Sequence, residues 1–189
     1  MFKTILIVFV NILLANCEES SNPLTSNANF LEVIAFRKLG SYRGFAADGV
    51  EYHKTYYLSR NVWLTWAEAL SFCKSYNLEF LTLDAPEEAE AYFNLVDTNA
   101  FFKTQSTAWF YVDAFAMTLN SRTDWYWSTT GQKVSFPIPW HPNHPRHQYC
   151  LCLNKESLNA RFYFYDAGCN GAAGAACQKT TILSANSKK

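Results

Sequence analysis

Residues 140–150, Trp-His-Pro-Asn-His-Pro-Arg-His-Gln-Tyr-Cys, set three imidazoles at intervals of three. Imidazole nitrogen is a common ligand for zinc and copper, so His141, His144 and His147 are candidate zinc ligands. Pro142 and Pro145 favour a polyproline-like path with about 3.1 Å rise per residue, which spaces the rings about 9 Å apart along one ridge. Two neighbours could then share an ion, and three could do so only if the chain bends. A solvent-exposed loop with incidental histidines competes with that reading. A pH response is a third: imidazole titrates near pH 6.5, so acidification would add up to three charges beside Arg146.

Thiols are the second reactive set. Cysteines stand at 17, 73, 150, 152, 169 and 177. The first 17 residues, MFKTILIVFVNILLANC, carry one lysine, a short apolar run and small residues at Ala15 and Cys17. That pattern reads as a secretory signal peptide, too short to be a good spanning helix. Its removal would leave five cysteines in an oxidising compartment, most simply two disulfides and one free thiol. The expectation is therefore a secreted, extracellular chain with no membrane span. Sixteen basic and sixteen acidic residues cancel without long runs of either sign, which argues against nucleic acid as a partner. No Asn-x-Ser/Thr acceptor is present.

The elements that position these groups follow from pattern. Residues 18–29, EESSNPLTSNAN, have no apolar periodicity and read as a disordered lead, as does the tail after Lys179. Asp48-Gly49 between two aromatic-rich stretches predicts a hairpin, since both residues tolerate positive φ. In LTWAEALSFCKSYN, Thr65 and Glu68 form a capping box, with Trp66, Ala69, Leu70, Cys73 and Tyr76 at helical spacing. A second helix is predicted at DAPEEAEAYFNLVDT, capped by Asp84, with Glu87 and Glu88 on a solvated face and Ala89, Tyr92, Phe93 and Val96 packed inward. Short strands are expected at 108–112, 125–128, 149–153, 162–165 and 174–178, among loops rich in Pro, Ser, Thr, Asn and Gly. Two helices followed by short strands make an α+β domain.

Several residues stand in a recognisable order: Tyr56-Tyr57; Trp66-x-x-Ala69 before Cys73; Trp109 in AWFYVD; Trp125-Tyr-Trp-Ser-Thr-Thr-Gly131; Trp140; and Cys150, Cys169 and Cys177. This series resembles a C-type lectin-like domain over residues 45–179, and among such domains the secreted insect members. The division expected is 1–17 signal peptide, 18–44 N-terminal extension, 45–179 domain and 180–189 polar tail. The resemblance implies two helices packed on a small antiparallel sheet with a long loop region. It also implies disulfides Cys73–Cys177 and Cys150–Cys169, which on the chain-entropy model contribute roughly 4–5 and 3 kcal/mol. Cys152 is left free, either a buried small side chain or a disulfide link to a partner chain or to Cys17.

In sugar-binding members, calcium and two sugar hydroxyls share oxygens from a Glu-Pro-Asn or Gln-Pro-Asp loop, a Glu before the third cysteine and a Trp-Asn-Asp strand. The matching positions here are His141-Pro142-Asn143, Gln148, and Tyr165 with Asp166 after Phe164. Asn143 and Asp166 are kept. His141, Gln148 and Tyr165 replace charged or hard-oxygen ligands, and charge count is a main lever on calcium affinity. The resemblance therefore implies a degenerate site, with calcium weak or absent as its cofactor. Family loops often carry a cis peptide before the equivalent of Pro142. Trp140, Tyr149 and Tyr165 are candidate rings for sugar faces.

Two functions follow as expectations: a secreted glycan-recognition module in immunity, recognition or adhesion, or a calcium-independent protein-binding or matrix (cuticle) module on the same scaffold. No nucleophile elbow, HExxH, P-loop or dinucleotide fingerprint occurs, so catalysis is not expected.

Overall fold

The computed structural model of the chain describes residues 35–46 and 48–183. The expected leader, the polar lead at 18–29 and residues 184–189 of the tail lie outside them. The described chain runs β1 (Phe36–Phe45), β2 (Glu51–Ser59), α1 (Trp66–Ser75), β3 (Glu79–Phe80), α2 (Pro86–Thr98), α3 (Ala100–Lys103), β4 (Ala108–Leu119), β5 (Arg122–Trp127), β6 (Cys150–Lys155), β7 (Tyr163–Ala167) and β8 (Gly174–Ile182).

Asp48 and Gly49 turn β1 back on β2: the Val50 N–H donates to Asp48 Oδ1, and Gly49 sits at φ +80°. The sheet order is β1-β2-β8-β4-β6-β7, with β3 added to β8 and β5 to β4. The β4–β8 pair is parallel and the other strand pairs antiparallel, so the sheet is mixed rather than purely antiparallel. The ordered fold also begins earlier and ends later than residues 45 and 179. Phe36 onward pairs with β2, and β2 in turn pairs with β8 out to Ile182.

Both faces of the sheet are covered, and strand alternation sorts the side chains. Leu151 and Leu153 face one core with Tyr56, Leu58, Tyr92, Phe93 and Val96. Cys150 and Cys152 face the other with Ala69, Cys73, Phe80 and Tyr111. Helix α1 covers the second face; α2 and the short α3, a third helix beyond the two expected, cover the first. The α1 capping box is formed, with Glu68 N–H donating to Thr65 Oγ1 and Thr65 N–H to Glu68. Both implied disulfides are present, Cys73–Cys177 and Cys150–Cys169.

Helix α2 departs from expectation at its start. Its N-cap is Ala85 without a side-chain bond, and Pro86 opens the helix, where a missing N–H costs nothing. Asp84 instead pairs with Lys54 Nζ at 2.8 Å. Glu88 is fully buried rather than solvated. It accepts from the Tyr52 and Tyr56 hydroxyls at 3.1 and 2.7 Å and from the Asp84 N–H at 2.8 Å, and it pairs with Lys54 at 2.9 Å. A buried charge needs such partners. Apart from the Asp84 N–H they come from β2, far away in sequence, so local helical periodicity could not announce them.

Candidate functional site

Residues 139–141 run beside β7, with the Phe164 N–H donating to Pro139 O and the His141 N–H to Phe164 O. From there the chain turns over the end of β7. The His144 N–H bonds His141 O, and Arg146 Nε bonds Asn143 O at 3.0 Å. The cis peptide of the loop precedes Pro145, three residues later than the equivalence with Pro142 implied. His147 follows at φ +64°.

Asp166 lies beneath this turn, its side chain without exposure. His144 Nδ1 donates to Oδ1 at 2.6 Å, the Arg146 N–H lies 2.7 and 2.6 Å from the two oxygens, and the Gln148 N–H donates to Oδ2 at 2.7 Å. Burial pushes the carboxyl pKa up. The bonds from Gln148, His144 and Arg146 outweigh it and hold the group below the ordinary carboxylate range. Asp166 is therefore ionised, and the imidazole proton sits on Nδ1.

That donor set does not fit calcium. Calcium seeks six to eight oxygens, whereas the carboxylate here meets three N–H groups that point positive ends at it. Asn143 is exposed, and its N–H lies 3.5 Å from His141 Nδ1. Gln148 is exposed too, its side-chain oxygen over Gly168.

The three histidines do not converge on a metal either. His144 turns inward to Asp166. His141 stacks on Tyr165 with centroids 4.7 Å apart and places Nε2 3.6 Å from Glu156. His147 is exposed. Among the described residues, no group of three or more His, Cys, Asp or Glu side chains is placed to hold a metal ion. The polyproline ridge fails because the Asp166 anchor, 22 residues away in sequence, pulls His144 off it.

Tyr165 is buried between His141, His144 and Trp109, with Trp109 at 5.6 Å. Burial, then a bond to Glu156, raise its pKa. It supports the loop and offers no face to a ligand. Trp140 packs against Trp125 at 5.2 Å beside the first core. Tyr149, 63% exposed, is the loop ring open to solvent. Cys152 is free and fully buried, the first of its two readings, and the alternative of a link to a partner chain is out of reach in the folded state.

What the sequence reading missed is that Asp166 anchors the loop to the sheet. The available signal was Pro145 between two residues whose nitrogens reach one carboxylate, but nothing local in the sequence identifies the acceptor.

Solved structures share the fold of this chain, two of them at TM-scores of 0.50 and above. One is the C-type lectin domain of murine dendritic cell inhibitory receptor 2 in complex with N-glycan, at 13% identity and TM-score 0.51, covering 68% of this chain and 91% of that one. The other is the mouse scavenger receptor C-type lectin carbohydrate-recognition domain, at 15% identity and TM-score 0.50, covering 76% and 97%. The chain thus has a C-type lectin-like fold. No protein-family model and no curated protein matches the sequence.

Proposed function

We propose that the chain is a secreted, non-enzymatic glycan-recognition module that works without calcium, of the kind used in immunity, recognition or extracellular adhesion. The observation that carries this reading is the Asp166 carboxylate of β7, satisfied by N–H groups of the 140–149 loop. In calcium-dependent members of the family a cation shapes the ligand loop; here a fixed anion and three internal donors take that part. The loop then presents Tyr149, Arg146 and the exposed edge of His147 to a ligand. Two disulfides on this fold support an extracellular setting, and no helix among the described residues is long and apolar enough to cross a membrane. The signal-peptide pattern and the resemblance to secreted insect members point the same way.

The test is binding of the purified protein to an array of immobilised neutral oligosaccharides, with calcium and again with chelator. The expected result is binding that is unchanged by chelation and lost in Tyr149→Ala. Binding that needs calcium would overturn the reading.

One feature favours the second function, a protein-binding or matrix module. Met117 and Leu119, at the tip of the β4–β5 hairpin, are 52% and 75% exposed. An apolar tip of this kind suits a protein surface. Loss of partner binding on Met117→Ser and Leu119→Ser, with the oligosaccharide array silent, would favour it.

A further inference from the structure

A cleft of about 360 Å³ opens at the other end of β4 from that hairpin tip, where β1, the end of β2 and α3 meet. It uses none of residues 140–149. Arg37 of β1 lays its guanidinium on the Phe101 ring, with Cζ 3.6 Å from the centroid. Its Nε is buried without a hydrogen-bond partner, an arrangement that costs stability unless something satisfies it. Arg60, exposed just after β2, lines the same cleft. Burial, then the charge of Arg60, hold the Arg37 pKa below its ordinary value, so the two cations feel each other. Among the described residues, no acidic side chain lines the cleft.

The walls are aromatic and wet. Trp63 is 72% exposed, and Trp109 and Phe101 are also open to solvent. Asn61, Gln105 and Thr107 add amide and hydroxyl groups between them. A large exposed indole beside two guanidinium groups that have no acidic partner among the described residues is not what a merely solvated surface shows.

We propose that this cleft binds a carboxylate-bearing (uronic acid) saccharide, its anion held by Arg37 and Arg60 and its flat C–H face laid on Trp63. The chemistry selects among anions. Guanidinium forks match a carboxylate in two-point fashion. An indole accepts a flat apolar face, and ring hydroxyls suit Asn61, Gln105 and Thr107. An acidic peptide would satisfy the arginines and leave the indole bare. The site goes beyond the loop reading and stands on different residues. The Trp109 wall nevertheless connects the two, through its contact with Tyr165 beneath His141.

The experiment is titration of the disulfide-bonded protein, followed by tryptophan fluorescence and calorimetry, with three probes: hyaluronan tetrasaccharide, neutral chitotetraose and tetraglutamate. The proposal expects hyaluronan to quench the fluorescence and to bind about tenfold or more tighter than either other probe. Arg60→Gln and Trp63→Ala should each weaken it about tenfold. Both side chains are exposed, so an unchanged unfolding temperature confirms that the variants fold. Tyr149→Ala should bind hyaluronan like the wild type, which separates this cleft from the loop. Equal binding of chitotetraose, tighter binding of tetraglutamate, no binding of hyaluronan, or a loss confined to Tyr149→Ala would each overturn the proposal.

Discussion

His144 Nδ1 lies 2.6 Å from Asp166 Oδ1, a contact that ties the tip of the loop to strand β7 with both side chains out of solvent. With the Arg146 and Gln148 N–H groups on the same carboxylate, it fixes the loop by charge-assisted bonds from within the chain.

Asp166→Asn removes the charge and should cost about 2–3 kcal/mol at pH 6, since three donors then face a weaker acceptor. The sign with pH follows from the depressed folded pKa. The unfolded carboxyl titrates near 3.9. The stabilisation is therefore full above about pH 5 and is lost as pH falls through the folded value. The gap in melting temperature between wild type and Asp166→Asn should narrow steadily as pH falls from about 5 toward the folded value. A gap as wide at pH 2 as at pH 6 would sink the assignment.

Calcium should leave the melting temperature where chelator leaves it, to within about 1 °C, because a ligand that does not bind the native state cannot stabilise it. A rise that grows with calcium concentration is the contrary outcome, read directly by calorimetry.

Cys152 should be silent toward a thiol reagent in the native protein and react with one equivalent after unfolding. Burial, then the Asp166 charge, push its thiol pKa up, and the thiolate is the reactive form. The measurement uses the chain beginning at Glu18. Fast labelling of the native protein, or a reducible dimer lost in Cys152→Ala, would contradict it.

The Lys54–Glu88 pair should behave as a unit. Lys54→Met leaves Glu88 charged and buried and should cost about 3–5 kcal/mol in denaturant unfolding, with Glu88→Leu similar. The double variant should lose clearly less than the sum, because neither ion is then stranded. Strict additivity would show that the two do not interact.

Periodicity and turn chemistry made much of the fold legible. The Thr65 capping box, the Asp48-Gly49 hairpin and the inward face of α2 are local patterns, and local sequence determines them. The resemblance carried the disulfide pairing as well. The β4–β5 hairpin escaped because its turn is Asn120-Ser121, both at positive φ, where serine gives a weak signal. Its outer residues Met117, Thr118 and Leu119 are exposed and show no alternation of buried and open side chains.

By itself, then, the sequence determined the residue types of the loop and most of the helices and strands that carry them. Only the tertiary structure decided what Asp166 does, that Glu88 is a buried ion and that Arg37 and Trp63 share a cleft. The reason is physical. A carboxylate's role is set by the donors that surround it, and all of these but the Asp84 N–H come from 18 to 36 residues away. No pattern along the chain records that distance once it has been folded away.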